Sequence, residues 1–523
     1  MARDVFLGEL VEMSELQGDW LSNGCLCRLH WVFCCWLLST PIVGRGQDSH
    51  RKESPSLIAL GRATTYFTEP IKENGEVDYI GIINTRFQAL VSPGNNAFVT
   101  LQEVIGRNQQ VKGFDELLGY EPAEDNEKLF RFWEDPNSDE FLQASKAPWI
   151  SQQHPEIAEW LRDNSESLQV VVEASLKSDY FSPWCNEPDI PLIFVKQPGL
   201  HSLKELSRAL ILRAMLNIGE NRPELAWDDL MAVNRLARLV SRGSTHLEFA
   251  MGVALEELAV LGQIQLIGRH PASGKLALYM NDLERLAVRG SLYEKIDFSE
   301  RIAALDVLCK LANRTFSLDK LFATMEHEKD FSNVPLDLIQ TKLDWNVALV
   351  RTNEYYDLLV DDLKTCKDGE VGTVIDAPRQ LSSEQTIRLL RESQFVERAT
   401  SSELTAYVMP WIFESTTVSR STLVRLENRA GQLDRHRRLA LALAKWYSDN
   451  GGYPASLEEL SACDQFRGWN DGFEKSSLGP LIYQRLDDRE YGVGCRFYQY
   501  GENEQDDHGT YDDLVSEMNA AHE

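Results

Sequence analysis

The sequence predicts a mainly α-helical protein, with a helical bundle or irregular α-solenoid as its body and a small C-terminal α+β cap of helix plus β-hairpin. Three observations carry this. First, Ala226, Leu230, Val233, Ala237 and Val240 recur at offsets 0, 4, 7, 11 and 14, and Leu247, Met251, Ala254, Leu258 and Leu261 repeat those offsets 21 residues later. Each set lays an apolar stripe along one helix face. Second, the punctuation agrees: Pro223 suits a first helical turn, Gly243 a helix end, and Ser244 or Thr245 the next N-cap. Third, after Leu439 the text changes to an Ala/Leu-rich helix, a stop at Asn450-Gly451-Gly452, and then alternating short runs.

The remaining elements follow in chain order. Residues 64–87 read as an extended piece, a turn at Asn74-Gly75, and a helix with Val77, Ile80, Ile83, Asn84 and Phe87 on one face. Pro93-Gly94 breaks it, and Asn95 or Asn96 can cap the next helix. From Gly119 to Pro198, Pro, Trp, Asp and Glu are frequent, which predicts short helices on irregular connections, one of them started by Pro155. A helix over Leu203–Ile218 packs on the 226–261 hairpin, and further helices are expected over Leu276–Val288, Glu300–Ala312 and Leu336–Leu363. A loop at 366–383 follows. Pro410 is expected to interrupt the next helical text, and an unbroken helix from Phe413 to Asn450 would run about 57 Å.

With 523 residues the chain is too long for one ordinary core. Its divisions are read as an acidic leader and signal peptide (1–46), a mixed irregular region (47–198), a helical body (199–412), and a long helix with the cap (413–523). The 53 basic and 81 acidic residues leave a net charge of −28. That field disfavours nucleic acid and anionic membrane surfaces as partners. An apolar run, Trp31–Leu38, follows Arg28 and precedes small residues at Gly44 and Gly46, the pattern of a secretory signal. The expected location is therefore exported, in the periplasm or cell envelope, with no stable membrane span after cleavage. Nine cysteines occur without a CxxC pair, so zinc ribbons and thioredoxin chemistry lack support; a Cys463–Cys495 bridge stays open.

In the cap, Ser456 and Glu459 have capping-box spacing, and Leu481–Arg485 can pair with Arg496–Tyr500 across a turn at Asp487-Asp488. Asn450, Gly451, Tyr453, Pro454, Leu457 and Leu460 are followed by Pro480, Leu481, Tyr483, Tyr498, Tyr500 and Gly501. Asp506, Asp507, Gly509, Asp512, Asp513 and Leu514 close the series. This order resembles the C-terminal part of the major pseudopilins of type II secretion, over about the last eighty residues. The whole arrangement of signal, helical middle and cap is also similar to large exported proteins of planctomycete bacteria, a resemblance that implies no activity. A pseudopilin carries its apolar helix at its own N-terminus behind a prepilin-peptidase site. Here the cap ends a long helical chain, so pilus assembly is not implied. What the resemblance does imply is calcium in the acidic loop, with Asn503, Asp506, Asp507, Asp512 and Asp513 as ligands; the hard cation wants six to eight oxygens.

No phosphate loop, dinucleotide fingerprint, nucleophile elbow or HExxH helix is present. Gly243-Ser244-Thr245-His246 sets a serine near a histidine, but a cap explains the serine. Glu256 and Glu257 read as a solvated face, and Arg235 and Arg238 beside Asp228 and Asp229 as intrahelical ion pairs. Tyr180-Phe181-Ser182-Pro183-Trp184 suits either a carbohydrate or peptide groove, or a local core. The function expected is a noncatalytic exported scaffold that binds protein partners. The rival is an envelope hydrolase with a cleft between the region before Pro198 and the helical body.

Overall fold

Pro223 occupies the first turn of its helix and Thr245 caps the next one, so the central hairpin forms where its punctuation sets it. The computed structural model describes residues 58–89, 91–106, 117–118, 129–185, 189–195, 197, 199–271, 274–323, 331–365, 383–461, 481–488, 492–499 and 514–519. The leader, residues 366–382, Cys463 and all five candidate calcium ligands lie outside them.

Among the described residues five α-helices come first: α1 (Tyr79–Gln88), α2 (Ala97–Ile105), α3 (Asp139–Lys146), α4 (Pro155–Asp163) and α5 (Ser165–Ser175). The central group is α6 (Leu200–Gly219), α7 (Pro223–Ser241), α8 (His246–Arg269) and α9 (Leu276–Glu284). A π-helical turn at Ile296–Glu300 joins α10 (Leu292–Lys295) to α11 (Arg301–Ala312). Next are α12 (Leu318–Ala323), α13 (Leu336–Lys342), α14 (Trp345–Thr365), α15 (Ser383–Leu390), α16 (Ser393–Arg398) and α17 (Ser401–Thr416). The chain finishes with α18 (Arg420–Asn450), α19 (Leu457–Ser461), β1 (Ile482–Asp488), β2 (Gly492–Gln499) and β3 (Leu514–Asn519). The protein is mainly α with a small β cap, as its patterning predicts.

Two apolar clusters interleave along the chain. One gathers α2–α9, α18 and the cap; the other gathers α1, most of α11, α12, α13 and α15–α17. Helix α14 serves both, giving Ala348 and Leu349 to the second and Tyr356, Leu359 and Val360 to the first. The α7–α8 crossing is close because of glycine: a Cβ on Gly252 would stand 2.7 Å from the Ala237 carbonyl, and one on Gly262 would stand 2.4 Å from Leu230. By length and composition α8 is long and apolar enough to cross a membrane, the one such helix among the described residues. In this fold it packs against α6, α7, α18 and β3.

Several local expectations change. Leu336–Leu363 divides because Asp344 caps a new helix, its carboxylate accepting from Val347 N at 3.1 Å. Pro410 sits inside α17. Its neighbours Val408, Met409, Trp411 and Ile412 are buried, and about 2 kcal/mol from each outweighs a proline cost of about 3 kcal/mol. The long terminal helix starts at Arg420, where the Ser419 side chain caps it, and its 31 residues span about 46 Å.

The cap also differs from a simple hairpin. Asp487 and Asp488 remain in β1, opposite Val493 and Gly492, so they are ladder residues and not the turn. A third strand, β3, pairs antiparallel with β2, and the sheet order is β1-β2-β3. Leu514, Ser516 and Met518 are buried, while Val515 and Glu517 are less so, the alternation of a one-faced strand. That short apolar run directly follows the acidic stretch that contains the candidate calcium ligands. Cys495 is a buried free thiol, and burial pushes its ionisation well up; its suggested partner Cys463 is among the residues not described.

Candidate functional site

Helix α7 organises the polar interior. Its stripe of Ala226, Leu230, Val233, Ala237 and Val240 is buried. Next to that stripe, Asp229 takes a two-pronged contact from Arg213 of α6, Nε at 3.0 Å and Nη2 at 2.6 Å. Arg238, one turn before the end of α7, reaches Glu256 of α8 at 2.5 Å. Arg235 does face Asp228 of its own helix, as the spacing suggests, but neither of the other two pairs is intrahelical. Both fasten one helix to another.

Glu256 is fully buried, which corrects its expected place on a solvated face. The reason is that α8 is apolar nearly all round. The predicted stripe is the looser side, with Ala254 exposed and Leu247, Met251, Leu258 and Leu261 half-buried. The opposite side, with Phe249, Gly252, Val253, Leu255, Ala259 and Val260, enters the core and takes Glu256 with it. There Arg289 Nε donates to one carboxylate oxygen at 2.7 Å, while Arg238 and Arg437 Nη2 share the other. Asp434 of α18 closes the network, accepting from Arg437 at 2.6 Å and from Arg289 at 2.9 Å. Burial alone would raise the Asp434 carboxyl, but Arg289, Arg437 and Arg238 outweigh it and hold it below the usual range. Four segments meet on these five side chains. Glu257, by contrast, points to α18 and pairs with Arg429 at 2.6 Å.

Arg238 also faces outward, into a cleft of about 400 Å³. Its wall comprises Ser175–Ser178 at the end of α5, Arg235, Arg238, Leu239 and Arg242 of α7 and its C-cap, and Asp282 with Arg285–Ala287 at the end of α9. Five cations thus line it against one carboxylate. Arg242 donates to the Ser178 carbonyl at 2.8 Å and Lys177 to the Gly94 carbonyl at 3.0 Å. Arg238 and Arg242 each keep a buried Nε–H without a hydrogen-bond partner. Guanidinium groups stay protonated at all ordinary pH and match the planar edges of carboxylates and phosphates. The cleft lies between the region before Pro198 and the helical body, where the rival reading puts a hydrolase site, but arginines dominate its lining.

A second buried polar cluster surrounds the start of α8. Thr245 and Glu248 form the capping box, and Ser244 is instead the acceptor of the Trp184 indole N–H at 2.6 Å. Lys295 donates to the Gly243 carbonyl, and burial draws its ammonium down to about 8 against the pull of Glu248. His246 pairs with Glu300 at 2.6 Å. The serine and histidine therefore face different partners. Tyr180, Phe181, Ser182 and Trp184 are buried, so this segment is local core. Two asparagine amides stand in for a β-ladder along it: Asn96 bonds Phe181 N and O at 2.9 Å, and Asn84 bonds Trp184 N and O at 2.8 and 2.9 Å.

Comparison with known proteins finds no match: no family model fits the chain, and no curated protein or solved structure is similar to it. Among the described residues no group of three or more His, Cys, Asp or Glu side chains is placed to hold a metal ion. Asn503, Asp506, Asp507, Asp512 and Asp513 fall in the connection between β2 and β3, outside those residues. Of the cleft's cations, Arg235 and Arg238 were noticed but assigned to pairs within α7; Arg242 follows them at i+7 on the same face, a usable signal, while Arg285 and Lys177 join them only through the fold.

Proposed function

We propose that this chain is an exported, noncatalytic scaffold whose helical body docks a protein partner at the arginine-lined cleft. The observation that carries the reading is local reversal of charge: a cation-rich cleft in a chain of net charge −28. Exposed Leu176 on its wall and exposed Val288 beside it supply apolar contacts of the kind interface cores use. The convergent buried charges on Glu256 support the same reading, because they engage one another and unite α7, α8, α18 and the Arg289 segment into a fixed platform.

The test is co-purification from the envelope fraction of cells expressing the tagged chain, with N-terminal sequencing of the recovered protein. A partner that accompanies the wild type and is lost from Arg285→Glu, on a chain beginning near residue 47, is the expected result. An intact Met1 in a cytoplasmic fraction, or identical partners with the variant, would contradict it. Calcium held by Asn503, Asp506, Asp507, Asp512 and Asp513 is a companion proposal from donor chemistry. A melting temperature raised by millimolar calcium supports it, and an unchanged one counts against it.

A further inference from the structure

We propose that the cleft is an oxyanion site, taking a carboxylate or phosphate group between Arg242, Arg235 and Arg285; this rests on the docking reading and names what the partner presents there. Two of the cleft's cations are already answered by carboxylates. Arg238 is neutralised from behind by Glu256 and Asp434. Arg235 faces Asp228 and Asp282. Among the described residues Arg242, Arg285 and Lys177 pair with no carboxylate, and Arg242 and Lys177 are held by backbone carbonyls.

Three helix C-termini meet at this wall, those of α5, α7 and α9. Each carries about half a negative charge, so arginines there partly serve the helix ends. That role asks for about one cation per end and is met by fewer groups than the wall holds. It also leaves the Nε–H of Arg238 and of Arg242 buried with nothing to bond. Arg238 is 8% exposed, so bulk water does not serve its Nε–H. Both Nε–H groups lie beneath the surface, so ligand oxygens would meet the outward parts of Arg235, Arg242 and Arg285 instead. Charge-assisted bonds from guanidinium to carboxylate or phosphate are the strong ones available there. The volume of about 400 Å³ lies at the small end of ligand sites, enough for one acidic group and its stem.

The test uses the full chain at constant ionic strength, titrated with sodium phosphate in one arm and tetraglutamate in another, against sodium chloride. Binding is read by calorimetry and by melting temperature. The wild type is compared with Arg242→Gln and with Arg285→Glu; Arg285 is exposed, so the second variant keeps the fold. The expected result is saturable binding in at least one oxyanion arm, weakened at least roughly tenfold in both variants. Phosphate alone would assign a phosphorylated group, and tetraglutamate at lower concentration an acidic peptide. No response beyond chloride, or equal binding by wild type and Arg285→Glu, overturns the site. In that event partner recovery with the wild-type chain still decides the scaffold reading separately.

Discussion

Arg238 stands between two regions that use arginine in opposite ways. Behind it, three guanidinium groups and two carboxylates satisfy one another around a Glu256 with no exposed surface. In front of it, five cations face one carboxylate in an open cleft. The first arrangement fixes where helices lie. The second is where we propose that an external oxyanion docks. The difference teaches that charge density alone does not mark a site; what matters is whether the partners are already present.

Breaking the inner network should have the largest effect. Glu256→Gln leaves three buried guanidinium groups with one carboxylate, and removing one member of a buried ionic group costs about 3–5 kcal/mol. Urea denaturation checks this. Next, Gly290→Ala places a Cβ about 2.1 Å from the Ser241 carbonyl and displaces the Arg289 segment from the network. Overpacking of this kind costs about 1–3 kcal/mol, read as a lower melting temperature.

Acid sharpens the comparison from another side. His436, next to the network's Arg437, is buried against Phe497 and Ser516. Burial, with help from Arg429 and Arg435, draws its ionisation down to about 3. The unfolded chain takes the proton near pH 6.5 and the folded chain does not, so stability falls as pH drops from about 6.5 toward 3, by about 1.4 kcal/mol per unit. Asp434 is held below the usual carboxylate range by its arginines, so it stays charged as the decline begins. Denaturation at pH 7, 5.5 and 4 should show the decline, and His436→Gln should flatten it. A smaller effect is expected from Thr245→Ala, which removes the cap of the helix that carries Glu256, at about 1 kcal/mol.

How much of this was legible in the sequence depended on how local the cause was. Proline at 223 acts within one turn and its role was readable, while the caps at Asn96 and Thr245 were narrowed to Asn95 or Asn96 and to Ser244 or Thr245. Helix α8 was readable as a helix but not in its orientation, because apolar residues surround it and the 3.6-residue period then selects no face. The place of Glu256 followed that error. Strand β3 was hidden because six residues after an acidic stretch carry little pattern without β2 beside them. The cleft needed α5, α7 and α9 brought together, and no spacing along the chain records that.

The claim that the two arginine regions differ in purpose is tested most directly by measuring unfolding free energies of Glu256→Gln and Arg285→Glu side by side in one buffer. The account predicts a loss of about 3–5 kcal/mol for the first and a change within about 0.5 kcal/mol for the second. Equal losses from both would contradict it, since the cleft would then be another clamp on the fold.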